Sequence, residues 1–262
     1  MTDPHRLAAV FAHPDDDTHG VGGILAMEGD RVAYTLVVAS SGEAGQIADQ
    51  SLATPETLGK VREEEELHSL EVLGAKDPAV HFLRYPDGGL ADVSHEELVA
   101  RIAEILSEAD PEVVVTFGPE GVTKHADHIA VGQAATEAFH RLQSDGSGRA
   151  ARPLLYVAIP QSELDRFWNE LKGRGVEVDS EGAFMPRGIP DHTITVRVDC
   201  SSVIDRKLEA LAAHRTQAFE QEFLPEDLRR EAFVDEWFVQ AWPPVTDPSG
   251  PVLSSIFEGL QR

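Results

Sequence analysis

A short apolar run followed by a turn and then a helical pattern recurs along this chain, and that rhythm limits the folds available to it. The strand-like runs are Arg6 to Ala12, Val32 to Ala39, Ala79 to Leu83, Glu112 to Phe117 and Leu154 to Ile159. Alternation of this kind predicts an α/β fold, a single-domain Rossmann-like arrangement with a mostly parallel sheet flanked by helices. Between the runs, Leu98, Ile102, Ile105 and Leu106 keep the spacing of one buried helix face, as do Val131, Ala134, Ala135, Ala138, Phe139 and Leu142. Thr193 to Val198 alternates with period two, which predicts a half-exposed antiparallel edge strand, with Ser201 or Ser202 capping a helix that reaches Phe219. The stretches Ser144 to Arg152 and Gly173 to Asp191 read as long loops near the site, the second with the length of a lid. No repeat or linker divides the chain, so one domain over residues 1–262 is expected.

Charge narrows the class of partner. With 22 Lys+Arg against 46 Asp+Glu the formal net charge is −24, which disfavours nucleic acid and anionic membrane surfaces, although surface solvation accounts for much of such a charge. One cysteine excludes an internal disulfide, no run approaches the ~20 apolar residues of a membrane span, and residues 1–14 lack a secretion signal, so a cytoplasmic protein is expected. A homo-oligomer is compatible with all of this.

The chemistry is concentrated at two places. After the first strand comes Ala12-His13-Pro14-Asp15-Asp16-Asp17, leading to Gly20, Gly22 and Gly23. Carboxylates at the carboxyl end of a buried strand are costly unless paired, hydrogen-bonded or bound to a cation. Capping of the next helix is the alternative for Asp15 to Asp17. After the fourth strand, Phe117-Gly118-Pro119-Glu120-Gly121-Val122-Thr123-Lys124 leads to His125-Ala126-Asp127-His128, a second His/Asp cluster at an equivalent edge. If strands one and four are neighbours, both clusters face one crevice, where two imidazoles and a carboxylate make a three-ligand site suited to catalytic zinc, with non-haem Fe2+ using similar ligands. The glycines alone also fit a sugar- or nucleotide-binding module without catalysis, but His-Pro and three aspartates stand where phosphate would need backbone N–H groups.

In these motifs the chain resembles the LmbE-like or PIG-L de-N-acetylases, zinc enzymes that hydrolyse the acetamide of N-acetylglucosamine-containing molecules. The resemblance runs through Ala12 to Asp17, Gly22-Gly23, Ser40 to Gly45, Arg62 with its Glu-rich helix to Leu73-Gly74, Tyr85 to Leu90, Val114 to Gly118, His125 to His128, and Lys207, Ala210, His214, Thr216 and Gln217. It implies His13, Asp16 and His128 as metal ligands, Asp15 as general base, and His125 as the group that stabilises the oxyanion or protonates the amine. It further implies Arg62 and Asp87 at the substrate's hydroxyls. Two positions depart from the family motifs, Asp17 for Glu and Ala126 for Pro, and Thr123 and Lys124 stand where some sugar-processing relatives carry a tyrosine.

The residues themselves agree with that chemistry. Zinc lowers the pKa of bound water toward ~7 and Asp15, beside a ligand, is placed to take the remaining proton. An imidazolium at His125 would serve the intermediate, with Asp127 accepting its hydrogen bond or, alternatively, capping a helix. Arg62 has a surface ion pair with Glu66 as its alternative. Lys207 and His214, seven residues apart, share a helix face that either turns to the site or leaves Lys207 solvated. His5, His19, His68, His81, His95, His140 and His192 offer no reason for a role. The expected activity is metal-dependent removal of acetate from a small N-acetylated sugar, with an amidase acting on a mycothiol-type thiol-sugar conjugate as the alternative within the family.

Overall fold

The computed structural model describes residues 3–144, 152–176, 182, 185–218, 224–245, 250–258 and 260. In chain order the elements are β1 (His5–Phe11), α1 (Asp16–Glu28), β2 (Val32–Ser40), α2 (Leu58–Leu73), β3 (Ala79–Tyr85), α3 (His95–Ala109), β4 (Val113–Phe117), the single turn α4 (Gly121–Lys124), α5 (Ala126–Gln143), β5 (Leu154–Ala158), α6 (Gln161–Gly173), β6 (Val196–Asp199), α7 (Ile204–Ala213), α8 (Glu226–Phe233) and β7 (Asp235–Trp242). They build one 7-stranded sheet of order β3-β2-β1-β4-β5-β7-β6. The first five strands in that order are parallel, while β7 runs antiparallel between β5 and β6. Helices α3 and α5 cover one face and α1, α2 and α7 the other.

Both faces of the central strands are therefore dry. Leu7 through Ala12, Leu36 through Ala39, and Val113 through Val115 are buried, which explains why these strands read as continuous apolar runs rather than as alternation. On α3, Leu98, Val99, Ile102, Ile105 and Leu106 form the stripe that its spacing predicts. The edge strand is also where the sequence places it, beginning at Val196 because Asp191–Thr193 tightens into a 3-10 turn. Strand β7 gave no clear signal in the sequence, since only Glu236 and Phe238 alternate into the core.

The expected helix from Ser201 or Ser202 to Phe219 is shorter. A 3-10 turn at Ser201–Val203 precedes α7, the Asp199 carboxylate accepts from Ser201 N–H at 2.8 Å, and the backbone leaves the helix at His214. Phe219 lies outside the described residues, as do 145–151 and, within the stretch read as a lid, 177–181, 183 and 184. Among the described residues no helix is long and apolar enough to cross a membrane.

Lys207 corrects a sequence expectation. Its ammonium is buried, 2.8 Å from Glu236 Oε1, and Glu236 also accepts from the backbone N–H of Gly23 at 2.6 Å and Ile24 at 3.1 Å. This ion pair ties α7 and β7 to α1, so Lys207 does not face solvent and its ammonium is engaged by Glu236. The approach is close: a Cβ on Gly23 would lie 2.2 Å from Cys200 Sγ. Replacing a helical glycine by alanine normally stabilises by about 1 kcal/mol. Here Gly23→Ala should instead destabilise by about 1–3 kcal/mol through overpacking, read as a lower denaturant midpoint.

Candidate active site and metal centre

Strands β1 and β4 pair directly, Leu7 with Val113 and Ala9 with Val115, so the turns leaving their carboxyl ends are neighbours. This is where the strand order reverses, the place where open α/β sheets bind ligands. The two His/Asp clusters meet there. His128 Nε2 lies 3.3 Å from His13 Nδ1, and Asp16 closes the triangle at 3.6 Å from His13 Nδ1 and 3.5 Å from His128 Nε2. Tetrahedral zinc with bonds of ~2.0–2.1 Å sets its ligand atoms ~3.3 Å apart, so the three donors fit.

Hydrogen bonds on the far sides of the rings decide which nitrogens face inward. His128 Nδ1–H donates to the Gly121 carbonyl at 2.9 Å, and His13 Nε2–H faces Asp87 at 3.1 Å and Asp127 at 3.4 Å. The remaining nitrogens, His13 Nδ1 and His128 Nε2, point lone pairs at the same space, the carboxylate–histidine pattern of metal sites. A second grouping of His13, His125 and Asp127 also lies within ligand reach. It is the poorer site, because Asp127 already accepts from Gly88 N–H at 2.7 Å and Leu90 N–H at 3.1 Å besides facing His13.

Electrostatics agree. Burial opposes the charged form of His13, but Asp127, Asp16 and Asp87 outweigh it and hold its pKa well above the ordinary value. Burial likewise opposes ionisation of Asp16, yet His128 and His13 keep its carboxyl well below the usual range. A metal entering here competes with a proton on His13.

Asp15 begins α1 with φ 106°, a left-handed conformation that costs an aspartate about 1–3 kcal/mol and must be held from outside. Two residues of α2 do so. Glu66 Oε2 accepts from Asp15 N–H at 2.9 Å, and Arg62 Nη2 donates to the Pro14 carbonyl at 2.7 Å and to Asp15 Oδ2 at 3.0 Å. Arg62 also reaches the Gly42 carbonyl at 3.0 Å, where a Cβ on Gly42 would lie 2.1 Å from the guanidinium. Burial raises the Asp15 pKa, and Arg62 restrains the rise.

Glu66 gains its own support from Asp17. Asp17 Oδ2 accepts from Tyr34 OH at 3.0 Å, while Asp17 Oδ1 and Glu66 Oε1 are buried with no partner. Burial pushes Glu66 well above the ordinary carboxyl range and Asp17 up to about 6. A proton on Glu66 directed at Asp17 satisfies both oxygens. The shorter side chain at position 17 thus still braces the turn.

Other predicted residues move to different roles. Arg62 is buried and bonded to the backbone of the turn after β1, so the surface pair with Glu66 does not describe it. Asp87 orients His13 and accepts from Ala44 N–H at 2.9 Å. At His125 the Asp127 backbone N–H donates to Nδ1 at 3.1 Å in an N-cap. That bond leaves the His125 proton on Nε2. Burial, then His13 and His128, lower its pKa, which works against the imidazolium expected from the sequence. His214 is buried against Thr18 Oγ1 at 3.2 Å and lines a cavity beside Asp15. Sequence reading missed Glu66 as a brace and left His19 without a role, although His19 lines the same cavity.

The family model described as PIG-L: GlcNAc-PI de-N-acetylase matches residues 8–139. The chain belongs to this family. The 1D-myo-inositol 2-acetamido-2-deoxy-alpha-D-glucopyranoside deacetylase of Kineococcus radiotolerans is 32% identical over 254 residues, covering 83% of this chain and 70% of that protein. Among solved structures, N,N'-diacetylchitobiose deacetylase from Pyrococcus horikoshii aligns with TM-score 0.55 at 24% identity over 86% of this chain and 73% of that one. GalB, a 4-carboxy-2-hydroxymuconate hydratase from Pseudomonas putida, aligns with TM-score 0.62 at 19% identity over 93% and 98%. These two likenesses establish the fold and leave the reaction to the site. The LmbE-like fold expected from the motifs is the one found.

Two outcomes follow from the geometry. Purified protein should hold near one divalent ion per chain by elemental analysis, His128→Ala should lose it, and Asp87→Asn should weaken metal affinity by roughly 10- to 100-fold. Burial lowers the His214 pKa to about 3, so below the unfolded-state value near 6.5 the unfolded chain gains a proton that the folded one refuses. Relative to His214→Gln, the protein should therefore lose about 1.4 kcal/mol of stability per pH unit as pH falls from about 6 toward 4, measured by denaturant unfolding.

Proposed function

We propose that this chain is a metal-dependent N-deacetylase that releases acetate and a free amine from an N-acetylglucosaminyl small molecule, with zinc as the resident ion. One observation carries the reading: the lone pairs of His13 Nδ1 and His128 Nε2 converge 3.3 Å apart with Asp16, beside a carboxylate, Asp15, that is not itself a ligand. The family membership and the names of the curated relatives support the acetamido sugar as substrate. A divalent metal bound there supplies Lewis acidity, polarising the amide carbonyl and lowering the pKa of water.

The chain's own groups do the rest. Asp15, raised by burial and restrained by Arg62, takes the proton of the attacking water. His125 presents Nε2–H, and a preorganised donor of this kind stabilises the oxygen that gains charge as the carbonyl carbon becomes tetrahedral. The proton on Asp15 then passes to the nitrogen as the C–N bond breaks, giving acetate and amine. Asp87 and Asp127 hold His13 in the tautomer that leaves Nδ1 open.

Asp15→Asn should keep its metal while kcat for amine release from N-acetylated glycosides falls by about 10²-fold or more. Unchanged turnover in that variant removes Asp15 from the mechanism. A panel of N-acetylglucosaminides that yields no primary amine from the metal-loaded protein removes the deacetylase reading itself. Glu66→Gln, which keeps an acceptor for Asp15 N–H, should retain far more kcat than Glu66→Ala.

A further inference from the structure

The turn between β4 and α5 holds Val122 in a conformation that valine avoids, with φ 59° and ψ −48°. These angles lie near the tight three-residue turn that is rare and strained for L-residues, and a branched Cβ adds to the cost. Such a conformation persists only where its surroundings over-determine it. The two peptide planes that meet at Val122 show what does so. The plane before it carries the Gly121 carbonyl, which accepts from His128 Nδ1–H at 2.9 Å. The plane after it carries the Val122 carbonyl, which accepts from Arg187 N–H at 2.7 Å. Because peptide units are rigid, φ and ψ of Val122 are the soft angles between these two hydrogen bonds. Fixing the second plane therefore aims the first.

Arg187 is itself held in register from the far side. Ile189 N–H donates to the Ile159 carbonyl at 2.9 Å, and Gln161 N–H donates to the Ile189 carbonyl at 2.8 Å. Residues 187–189 are thus stitched to the end of β5 and the start of α6. Between the two anchors, Gly188 lies against Gln161, where a Cβ would stand 2.6 Å from Gln161 Oε1 and 2.7 Å from Gln161 Cα. Its φ is not left-handed, so space rather than conformation requires glycine there. A new rotamer at Gln161 would clear the side-chain contact but not the backbone one. A side chain at position 188 must therefore push the segment away from α6 and shift Arg187 N–H.

We propose that residues 187–189 form a strap that positions the metal ligand His128 through the backbone of Val122, with Gly188 as the positioning residue that lets the strap seat. The proposal rests on the metal-centre reading of His13, Asp16 and His128, and adds a remote part of the chain that sets its affinity. With the strap displaced, Val122 relaxes toward ordinary angles and the Gly121 carbonyl turns away from His128. The ring proton is then no longer held on Nδ1, and Nε2 loses its fixed lone pair. Loss of a partner that orients a ligand in this way weakens metal binding by roughly 10- to 100-fold.

The test uses the full chain and two readouts: zinc affinity by competition with a chelator, and the His128 tautomer by 15N NMR of the metal-free protein with the ring neutral. Wild-type protein should show the Nδ1–H form. In Gly188→Ala the tautomers should mix and zinc should bind about tenfold more weakly or worse. Val198→Ala, which truncates a buried side chain on the distant edge strand β6, should lose stability but keep both readouts. Glycine accepts the angles of residue 122 without strain, so adding Val122→Gly to Gly188→Ala should restore part of the lost affinity. An unchanged tautomer and affinity in Gly188→Ala overturn the strap, as does an equal loss in Val198→Ala or a double variant that binds no tighter than Gly188→Ala. If Gly188→Ala does not fold, amide exchange in the wild-type protein decides. Coupling is reciprocal, so zinc should slow exchange at Arg187 N–H about tenfold beyond any change at Leu253 N–H on the sheet edge, and an equal change at both refutes the strap. If the wild-type protein binds no zinc, the metal reading fails, and the tautomer comparison still decides the strap.

Discussion

Carboxyl groups withdrawn from water at the end of a parallel sheet are the constraint on which this site depends. Burial penalises their ionisation, and each is compensated by a different device. Asp127 receives two backbone amides and faces His13, Glu66 is favoured in its acid form, and Asp15 has the Arg62 guanidinium. Asp16 has the least permanent compensation: the His13 backbone N–H at 2.8 Å and two imidazoles. Those imidazoles are held by Asp87, Asp127 and the Gly121 carbonyl in the tautomers that turn lone pairs toward it. When the rings are neutral, the charge that balances Asp16 is a cation. Electrostatics and ligand spacing thus ask for the same ion.

Holding that arrangement requires backbone that helices and strands do not supply. Between β4 and α5, Val122 has φ 59° and Lys124 φ 60°, a left-handed region that a β-branched valine rarely enters. Gly121 lies at φ 66°, and a Cβ there would be 3.1 Å from His128 Cβ. The strained loop turns the Gly121 carbonyl back onto His128 and delivers His125 to the start of α5. Its strain is offset by what flanks it, the fully buried β4 and an α5 packed against α3. The Arg187 N–H, donating to the Val122 carbonyl at 2.7 Å, further fixes the distorted turn.

The sheet and the meeting of the two His/Asp clusters were readable in the sequence because each left a periodic or clustered signal. Apolar runs marked the buried parallel strands, and His13, Asp16 and His128 sat in dense polar clusters directly after two of them. Strand β7 escaped because its inward positions include Glu236, a charge neutralised by Lys207 from a distant helix. The Lys207 misreading has the same cause: spacing gives the face of a helix but not what lies opposite it. In α2 a signal was present and pointed the other way. Leu58, Leu70 and Leu73 set the buried phase of that helix, and Arg62, Glu65, Glu66 and Ser69 fall on the same face. Charged residues in phase with leucines belong to the interior, whereas an Arg62–Glu66 pair at i, i+4 taken alone resembles a solvent-exposed one.

That inward face of α2 sets the behaviour of Asp15 from two directions. Arg62 and Glu66 stand one helical turn apart, about 6 Å along the axis, so both reach the same residue. Glu66 grips the backbone, which fixes where the carboxylate stands, and Arg62 grips the carboxylate, which limits how far burial raises its pKa. A base needs both: a position near the reacting water and a proton affinity between that of a solvated aspartate and that of a fully desolvated one. Glu66 is suited to the first task because it favours its acid form, since a second full negative charge beside Asp15 would push that pKa further up and pull Arg62 away. Tyr34, by donating to Asp17, lets Asp17 remain the acceptor for the Glu66 proton. The residues behind this turn therefore set the environment of the proposed base through proton placement.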